Sequence, residues 1–442
     1  MTSSLRIALI LTEFPPHFGG MQTHAVHLAR ALAARGHAVT VYTYRSNHAE
    51  EAAAAAAFDA GCGYRVQRTL SRIGFWFNHR WLAEALARQP VDLIYASNVF
   101  YGLLGQALGA PVVCRSVGND VLRPWIVYPF QLGSGLCAWP RLESTLYRLF
   151  RRCNSPEWIE ALLRNARQRL MQRSAAANTL VLANSEFTIT ALRQAGLPRQ
   201  QTSLLVGGVD CCRFTPSQLD RDALRSAHGL PANALLLFTA CRLVAKKGVD
   251  FLLQQMPAIL ARHPHALLLI AGDGREKCRC MALATALGVA DAVHFLGRVE
   301  HDALTSYYWM SDLFVLASRV TRNRISGLLD AETMGRVLCE ANASGVPVLA
   351  SRSGGIPCVI RHGENGLLFE EDDASSFHQQ LEQLTGDAAL RQQLVQTGLA
   401  RAAREFDWHH IIAAHEAAFA AALAPHPQQY SRLALQAASL AR

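Results

Sequence analysis

The sequence predicts an α/β protein built as two doubly wound domains in tandem. Three observations carry that expectation. The chain has 442 residues, more than one hydrophobic core usually serves, so it divides into domains of about 200 residues. A strand, a glycine loop, a helix and a second strand follow one another before Tyr44, which makes a βαβ unit. The same alternation starts afresh at Ala234, after an irregular, proline-bearing segment ending at Pro231.

In the first half, RIALILT from Arg6 to Thr12 reads as a buried strand, and Pro15-Pro16 with Gly19-Gly20 as a loop. From Met21 to Ala34 the apolar positions Met21, Ala25, Leu28, Ala29 and Leu32 recur at helical spacing. AVTVYTY, Ala38 to Tyr44, is the next strand. Glycines at that helix start would let the backbone approach a ligand, or simply form a tight turn with none; the dinucleotide fingerprint GxGxxG is missing. The alanine run from Glu51 to Ala57 reads as a surface helix or a loose segment. VDLIYA, Val91 to Ala96, and PVVCRSV, Pro111 to Val117, are strands with an apolar helix between them. Gly118-Asn119-Asp120 then stands at a strand end, where open α/β sheets place ligands. Between Arg123 and Arg173 the tryptophans Trp125, Trp139 and Trp158 alternate with many arginines. Such a stretch suits an anionic membrane surface, and equally the solvated face of ordinary helices. Strands at Thr179–Ala183 and Thr202–Val206 lead into Gly207-Gly208-Val209-Asp210.

The second half repeats the pattern with strands at Ala234–Cys241, Ala266–Ala271, Val293–Leu296 and Leu313–Ala317, and helices from Ala374 close the chain. Two of its segments carry chemistry. In CRLVAKKGVD, Arg242 and Lys247 follow a buried strand. A guanidinium fork plus a compact ammonium suits a diphosphate, and solvated surface bases would look the same in isolation. In DAETMGRVLCEANASGVPVLA, Asp330 to Ala350, the carboxylates Glu332 and Glu340 have seven residues between them. The expected form is a loop carrying Glu332, a helix from about Gly335 to Ala343, a turn and a strand. Eight helical steps of about 100° would set the two acids about 12 Å apart along the axis, too far for a paired acid and base. Backbone N–H groups near Gly335 would be open to an anion.

Composition narrows the partners. Half the residues are apolar and 17% are charged, as in ordered globular proteins. The net charge of +9 allows nucleic acid binding, but the bases are not gathered into one tail or block. An anionic ligand or a negatively charged membrane surface fits it equally, and no nucleic acid partner is expected. Eleven cysteines without a CxxC pair give no zinc spacing and predict reduced thiols in a cytoplasmic protein. No apolar run reaches the roughly 18 residues of a membrane span. Nucleophile elbow, P-loop and HExxH motifs are absent, and Asp372-Asp373 lies too far along the chain to read as a metal motif. His24 and His27, on the first helix, read as structural.

Four segments in one order resemble the retaining glycosyltransferases of family 4 (group 1): PPHFGGMQTHAVHLARALAARGHAVTV, CRLVAKKGVD, ETMGRVLCEANASGVPVLAS and SGGIPCVIRHGENGLLF. ANSEFT and VGGVDCCRFTP, between the first two, add to the likeness, which runs from about Leu5 to Trp408. The resemblance implies the GT-B fold, two Rossmann-like domains facing a central cleft. Residues 1–205 would form the acceptor-side domain, 206–404 the donor domain, and 405–442 a helical segment packing back on the first domain with a loose tail. It implies that Arg242 and Lys247 hold the donor diphosphate and steady the leaving group. Glu340 would accept from the ribose, and Glu332 would sit beside the transferred sugar. Gly335, Arg336 and Val337, at a helix start, would approach phosphate or sugar, with Gly19 and Gly20 closing from the other domain. Asp120 is the acceptor-side candidate.

The implied reaction moves a sugar from a nucleotide-diphosphate sugar to a glycan or lipid-linked acceptor, without a cofactor. It would belong to bacterial cell-surface polysaccharide or glycolipid synthesis, in the cytoplasm or peripheral on the inner membrane. A non-catalytic nucleotide-sugar-binding protein and a GT-B-fold epimerase are the alternatives. The sequence departs from the family pattern at Val117, where a histidine is frequent, at Met334 for phenylalanine, at Gly207 for asparagine and at Cys358 for glutamate. A longer, basic connection from Arg319 to Ala331 adds Arg319, Arg322 and Arg324 near the expected site, either as a lid over an anion or as a solvated loop.

Overall fold

The computed structural model describes residues 4–16, 19–46, 49–124, 157–216, 220–322 and 328–424, with isolated positions 131, 135, 138, 139, 142 and 145. These divide into two compact units. One holds residues 4–205 with Leu328 and 412–424, the other residues 206–322 and 329–411.

The first unit is built on a parallel sheet of seven strands among the described residues. They are β1 (Arg6–Ile10), β2 (Ala38–Tyr44), β3 (Arg65–Leu70), β4 (Leu93–Ala96), β5 (Val112–Ser116), β6 (Leu180–Ala183) and β7 (Thr202–Leu204). Their order is β3-β2-β1-β4-β5-β6-β7. Parallel strands covered on both faces need continuous apolar runs, and LIYA in β4 is buried throughout. β3 escapes that rule. As an edge strand pairing only with β2, it tolerates RVQRTL with most positions half-buried, so its sequence carries no strand pattern. A helix, Phe75–Arg88, follows β3, and the alanine run also forms a helix, Ala49–Ala60, burying only Ala55.

Helix Gly20–Ala34 buries His24, Ala25, Leu28, Ala29 and Leu32, close to the expected face. The closing helix, Trp408–Leu423, has its later residues in this unit. There His415 Nε2 lies 3.4 Å from the Tyr95 hydroxyl, and its ring sits 5.2 Å from that of His24. Glu416 pairs with Arg35 and lies 3.6 Å from His37. His24 is therefore a packing residue.

The second unit has β8 (Leu236–Ala240), β9 (Leu267–Ala271), β10 (Val293–Gly297), β11 (Leu313–Leu316), β14 (Val348–Ser351) and β15 (Leu367–Phe369), parallel in the order β10-β9-β8-β11-β14-β15. The chain steps outward one way through β8, β9 and β10, then the other way through β11, β14 and β15. Neighbouring loops therefore part at the carboxyl ends of β8 and β11. That switch point is where open α/β sheets take ligands. The basic connection after β11 forms a small antiparallel ribbon, β12 (Thr321–Arg322) with β13 (Leu329–Asp330). At the opposite strand ends a cavity of about 630 Å³ is lined by Leu235, Leu313, Pro347, Trp309 and Asp312. Its carboxylate is already held by Arg221 and Arg225.

Candidate functional site

The loop after β8 is drawn against the end of β11. Gly248 sits at φ 63°, and a Cβ there would lie 1.8 Å from the Ala317 carbonyl oxygen, so only glycine lets the turn close. The Arg319 N–H donates to the Lys246 carbonyl at 2.8 Å. The two lysines then diverge. Lys246 is buried, and its Nζ reaches the Ala331 carbonyl at 2.9 Å and Asp330 Oδ1 at 2.8 Å, which ties this loop to the segment leading into Glu332. Lys247 Nζ pairs with Glu332 Oε2. Arg242 is exposed and joins no ion pair among the described residues.

Burial disfavours charge on both members of the Lys247–Glu332 pair, but each outweighs that cost for the other. The lysine is held above its ordinary pKa by Glu332 and Cys241. The glutamate is held below its own by Lys247, Lys246 and the Met334 N–H. Both stay ionised near neutrality. The Glu332 carbonyl also accepts from the Gly355 N–H at 2.8 Å, so the glycine loop after β14 braces the same residue.

Gly335 takes the left-handed conformation, φ 87° and ψ 65°, and starts the helix Arg336–Ala343. Glu332 thus lies in the preceding loop and Glu340 inside the helix, as their spacing predicts. Glu340 is 2% exposed. Arg336 Nε lies 3.1 Å from its Oε1, and His301 Nε2 lies 3.5 Å from the same oxygen. The Tyr308 hydroxyl is 3.1 Å from Oε2 and 3.2 Å from the Val337 carbonyl, and its single proton serves one at a time. Burial raises the Glu340 carboxyl, and Arg336, His301 and Tyr308 together bring it below the ordinary value.

His301, Tyr308 and Arg213 were not legible in the sequence. Tyr308 sits in an apolar helix, Leu304–Met310, and nothing local marks it as a carboxylate partner. Two family departures meet in space: the Gly207 N–H points at Met334 Sδ, 3.2 Å away. Arg319 pairs with Asp250 and lies 3.4 Å from Asp372, while the Val320 N–H donates to Glu371 at 2.9 Å. These contacts make Arg319 an anchor for the ribbon rather than an anion ligand. Arg324 lies outside the described residues.

In the first unit, the Gly19 carbonyl accepts from the Thr23 N–H at 2.9 Å and the Thr23 hydroxyl at 3.0 Å, and Gly20 opens the helix. Asp120 is buried. Its Oδ1 accepts from the Ser116 hydroxyl at 2.8 Å and its Oδ2 from the Val99 N–H at 3.0 Å. Burial pushes its carboxyl up to about 6, although Ser116, Val99 and Gly118 pull the other way. Among the described residues no three His, Cys, Asp or Glu side chains form a metal-binding group.

Two family models match consecutive parts of the chain. Glycosyltransferase Family 4 covers residues 18–213, and Glycosyl transferases group 1 covers residues 220–401. A Corynebacterium glutamicum GDP-mannose-dependent monoacylated alpha-(1-6)-phosphatidylinositol monomannoside mannosyltransferase is 28% identical over 416 residues, 92% of this chain and 96% of the relative. A Mycobacterium tuberculosis GDP-mannose-dependent alpha-(1-6)-phosphatidylinositol monomannoside mannosyltransferase is 29% identical over 371 residues, 83% of this chain and 85% of the relative. Among solved structures, Anabaena HepE in complex with UDP superposes with a TM-score of 0.70 at 20% identity, covering 94% of this chain and 99% of that one. Sucrose-phosphate synthase from Thermosynechococcus elongatus gives 0.68 at 21% identity, covering 94% and 98%. With the two parallel-sheet units and the ordered motifs, these matches place the chain in the family 4, group 1 glycosyltransferases of the GT-B fold.

Proposed function

We propose that the protein transfers a sugar, with retention and without a metal, from a nucleotide-diphosphate sugar to a glycan or lipid-linked acceptor. One observation carries the reading: at the switch point of the second sheet an ionised Lys247–Glu332 pair stands beside the exposed Arg242, with a helix start at Gly335. Sugar transfer needs positive charge where the diphosphate leaves, and preorganised cations supply it without reorganisation. Arg242 and Lys247 take that role. Glu332 orients Lys247 and faces the transferred sugar. Gly335, Arg336 and Val337 approach phosphate or sugar, and Glu340 accepts from the ribose. Asp120, in the first unit, supports the acceptor side.

The two mannosyltransferase relatives favour a GDP-sugar donor and a phosphatidylinositol-type or similar lipid-linked acceptor. That chemistry belongs to cell-surface glycolipid or polysaccharide synthesis at the cytoplasmic side of the inner membrane, with an anionic lipid surface as a further partner.

A panel of nucleotide sugars, followed by hydrolysis and transfer assays, tests the reading. Lys247→Ala and Glu340→Ala should each lower turnover or donor affinity by one to two decades, since a lost charge-assisted contact costs roughly 1.5–3 kcal/mol. Undiminished turnover in both variants would sink the assignment. Binding without any turnover by the wild type would point to a nucleotide-sugar sensor instead.

A further inference from the structure

The residues behind Glu340 form a chain of donors with only one consistent arrangement of protons. Arg213 Nη1 lies 2.7 Å from His301 Nδ1, and a guanidinium can only donate. Nδ1 therefore accepts, and the imidazole proton sits on Nε2. That nitrogen is buried without any other hydrogen-bond partner and lies 3.5 Å from Glu340 Oε1. The separation is longer than a full hydrogen bond but within electrostatic reach.

Arg213 is itself fixed. Its backbone N–H donates to Asp210 Oδ1 at 3.1 Å, and its Nη2 lies 3.1 Å from Asp302 Oδ1. Phe214, next in sequence, packs edge-on against the His301 ring at 5.2 Å. The segment Asp210–Phe214 thus holds both the orientation and the tautomer of His301. On the far side of the carboxylate, Arg336 shares Oε1 while Tyr308 faces Oε2. With Oε1 occupied by two donors, Oε2 keeps a lone pair for a ligand hydroxyl.

We propose that His301, aligned by Arg213, is a positioning residue that turns Glu340 so that Oε2 accepts a ribose hydroxyl of the donor nucleotide. The proposal rests on Glu340 being the ribose anchor. Because it works through that carboxylate, it predicts a selectivity rather than a general loss of binding.

The test is calorimetric titration of the full-length chain with GDP and UDP and with their 2′,3′-dideoxy forms. The wild type should prefer the ribonucleotide, and Glu340→Ala should erase that preference. His301→Ala should weaken the ribonucleotide several-fold, less than the roughly tenfold or more of a full hydrogen bond to a charged group, and leave the dideoxy form unchanged. His301→Gln, which retains a side-chain N–H donor, should recover most of the loss. If His301→Ala weakens both forms equally, or neither, the positioning role is overturned while the ribose reading stands. A wild type without the preference, or Glu340→Ala that keeps it, overturns the ribose reading and this proposal with it.

Discussion

Single carboxylates in this chain sit in opposite electrostatic situations, and acid should separate them. Glu332 and Glu340 are held below the ordinary value of 4.5. Their pairing therefore stabilises the fold above that pH and is lost as acid protonates them. Asp120 runs the other way. Its carboxyl, pushed up from 3.8 to about 6, favours the fold when protonated, and that contribution is lost as pH rises through about 6. Asp120→Asn removes the buried charge and keeps the shape. The wild type should match the variant near pH 4 and fall behind by up to roughly 3 kcal/mol above pH 6, two pKa units at 1.36 kcal/mol each. Urea unfolding from pH 4 to 7 measures it, and a pH-independent difference would refute the account. The sequence showed Asp120 at a strand end; it did not show that the Val99 N–H, which follows the neighbouring strand β4, takes one oxygen while Ser116, four residues back, takes the other.

At the level of the element, the segment from Glu332 to Ala343 depends on a single left-handed residue. Gly335 stands at φ 87°, and a Cβ there would come within 2.9 Å of Leu338 Cδ1. Gly335→Ala should cost about 1–2 kcal/mol of stability, the penalty of that conformation for an L-residue. It should also raise the donor KM, since Glu332 and Arg336 flank the turn. Asparagine visits the conformation more readily, so Gly335→Asn should lose less of both. Equal unfolding midpoints for wild type and Gly335→Ala would show that the turn is not strained. This helix was readable because its signals are local: a glycine at the start, apolar spacing inside, and Ser344-Gly345 at the end. The β12–β13 ribbon was not readable, since two-residue strands carry no period and Arg319 is held by residues far along the chain.

At the scale of the whole molecule the proposed anionic lipid surface can be tested. Trp139 is 69% exposed and Leu162 51% exposed. On the helix Glu157–Ala176, Arg164, Arg169 and Arg173 are exposed. Trp125, Arg141, Arg148, Arg151 and Arg152 lie outside the described residues. No helix among the described residues is long and apolar enough to cross a membrane. Each arginine near an anionic leaflet is worth about 1 kcal/mol, so the protein should float with phosphatidylglycerol vesicles and not with neutral ones. Arg169→Glu with Arg173→Glu should reduce that partition at least tenfold. Equal flotation with both lipids, or none, removes the membrane surface from the proposal.

The family and the two doubly wound sheets were accessible from the chain alone, because strand runs, glycine turns and motif order are short-range features repeated many times. So was the separation of Glu332 from Glu340, which needs only the pitch of a helix. Which groups surround those acids was decided by folding. Lys246 and Lys247 are adjacent in the sequence, yet Lys246 ties its loop to Asp330 and Ala331 while Lys247 pairs with Glu332, because β8 and β11 are neighbours in space with more than seventy residues between them. His301 and Tyr308 joined Glu340 for the same reason. Partnership between buried polar groups depends on desolvation and distance, and only the packed sheet sets either.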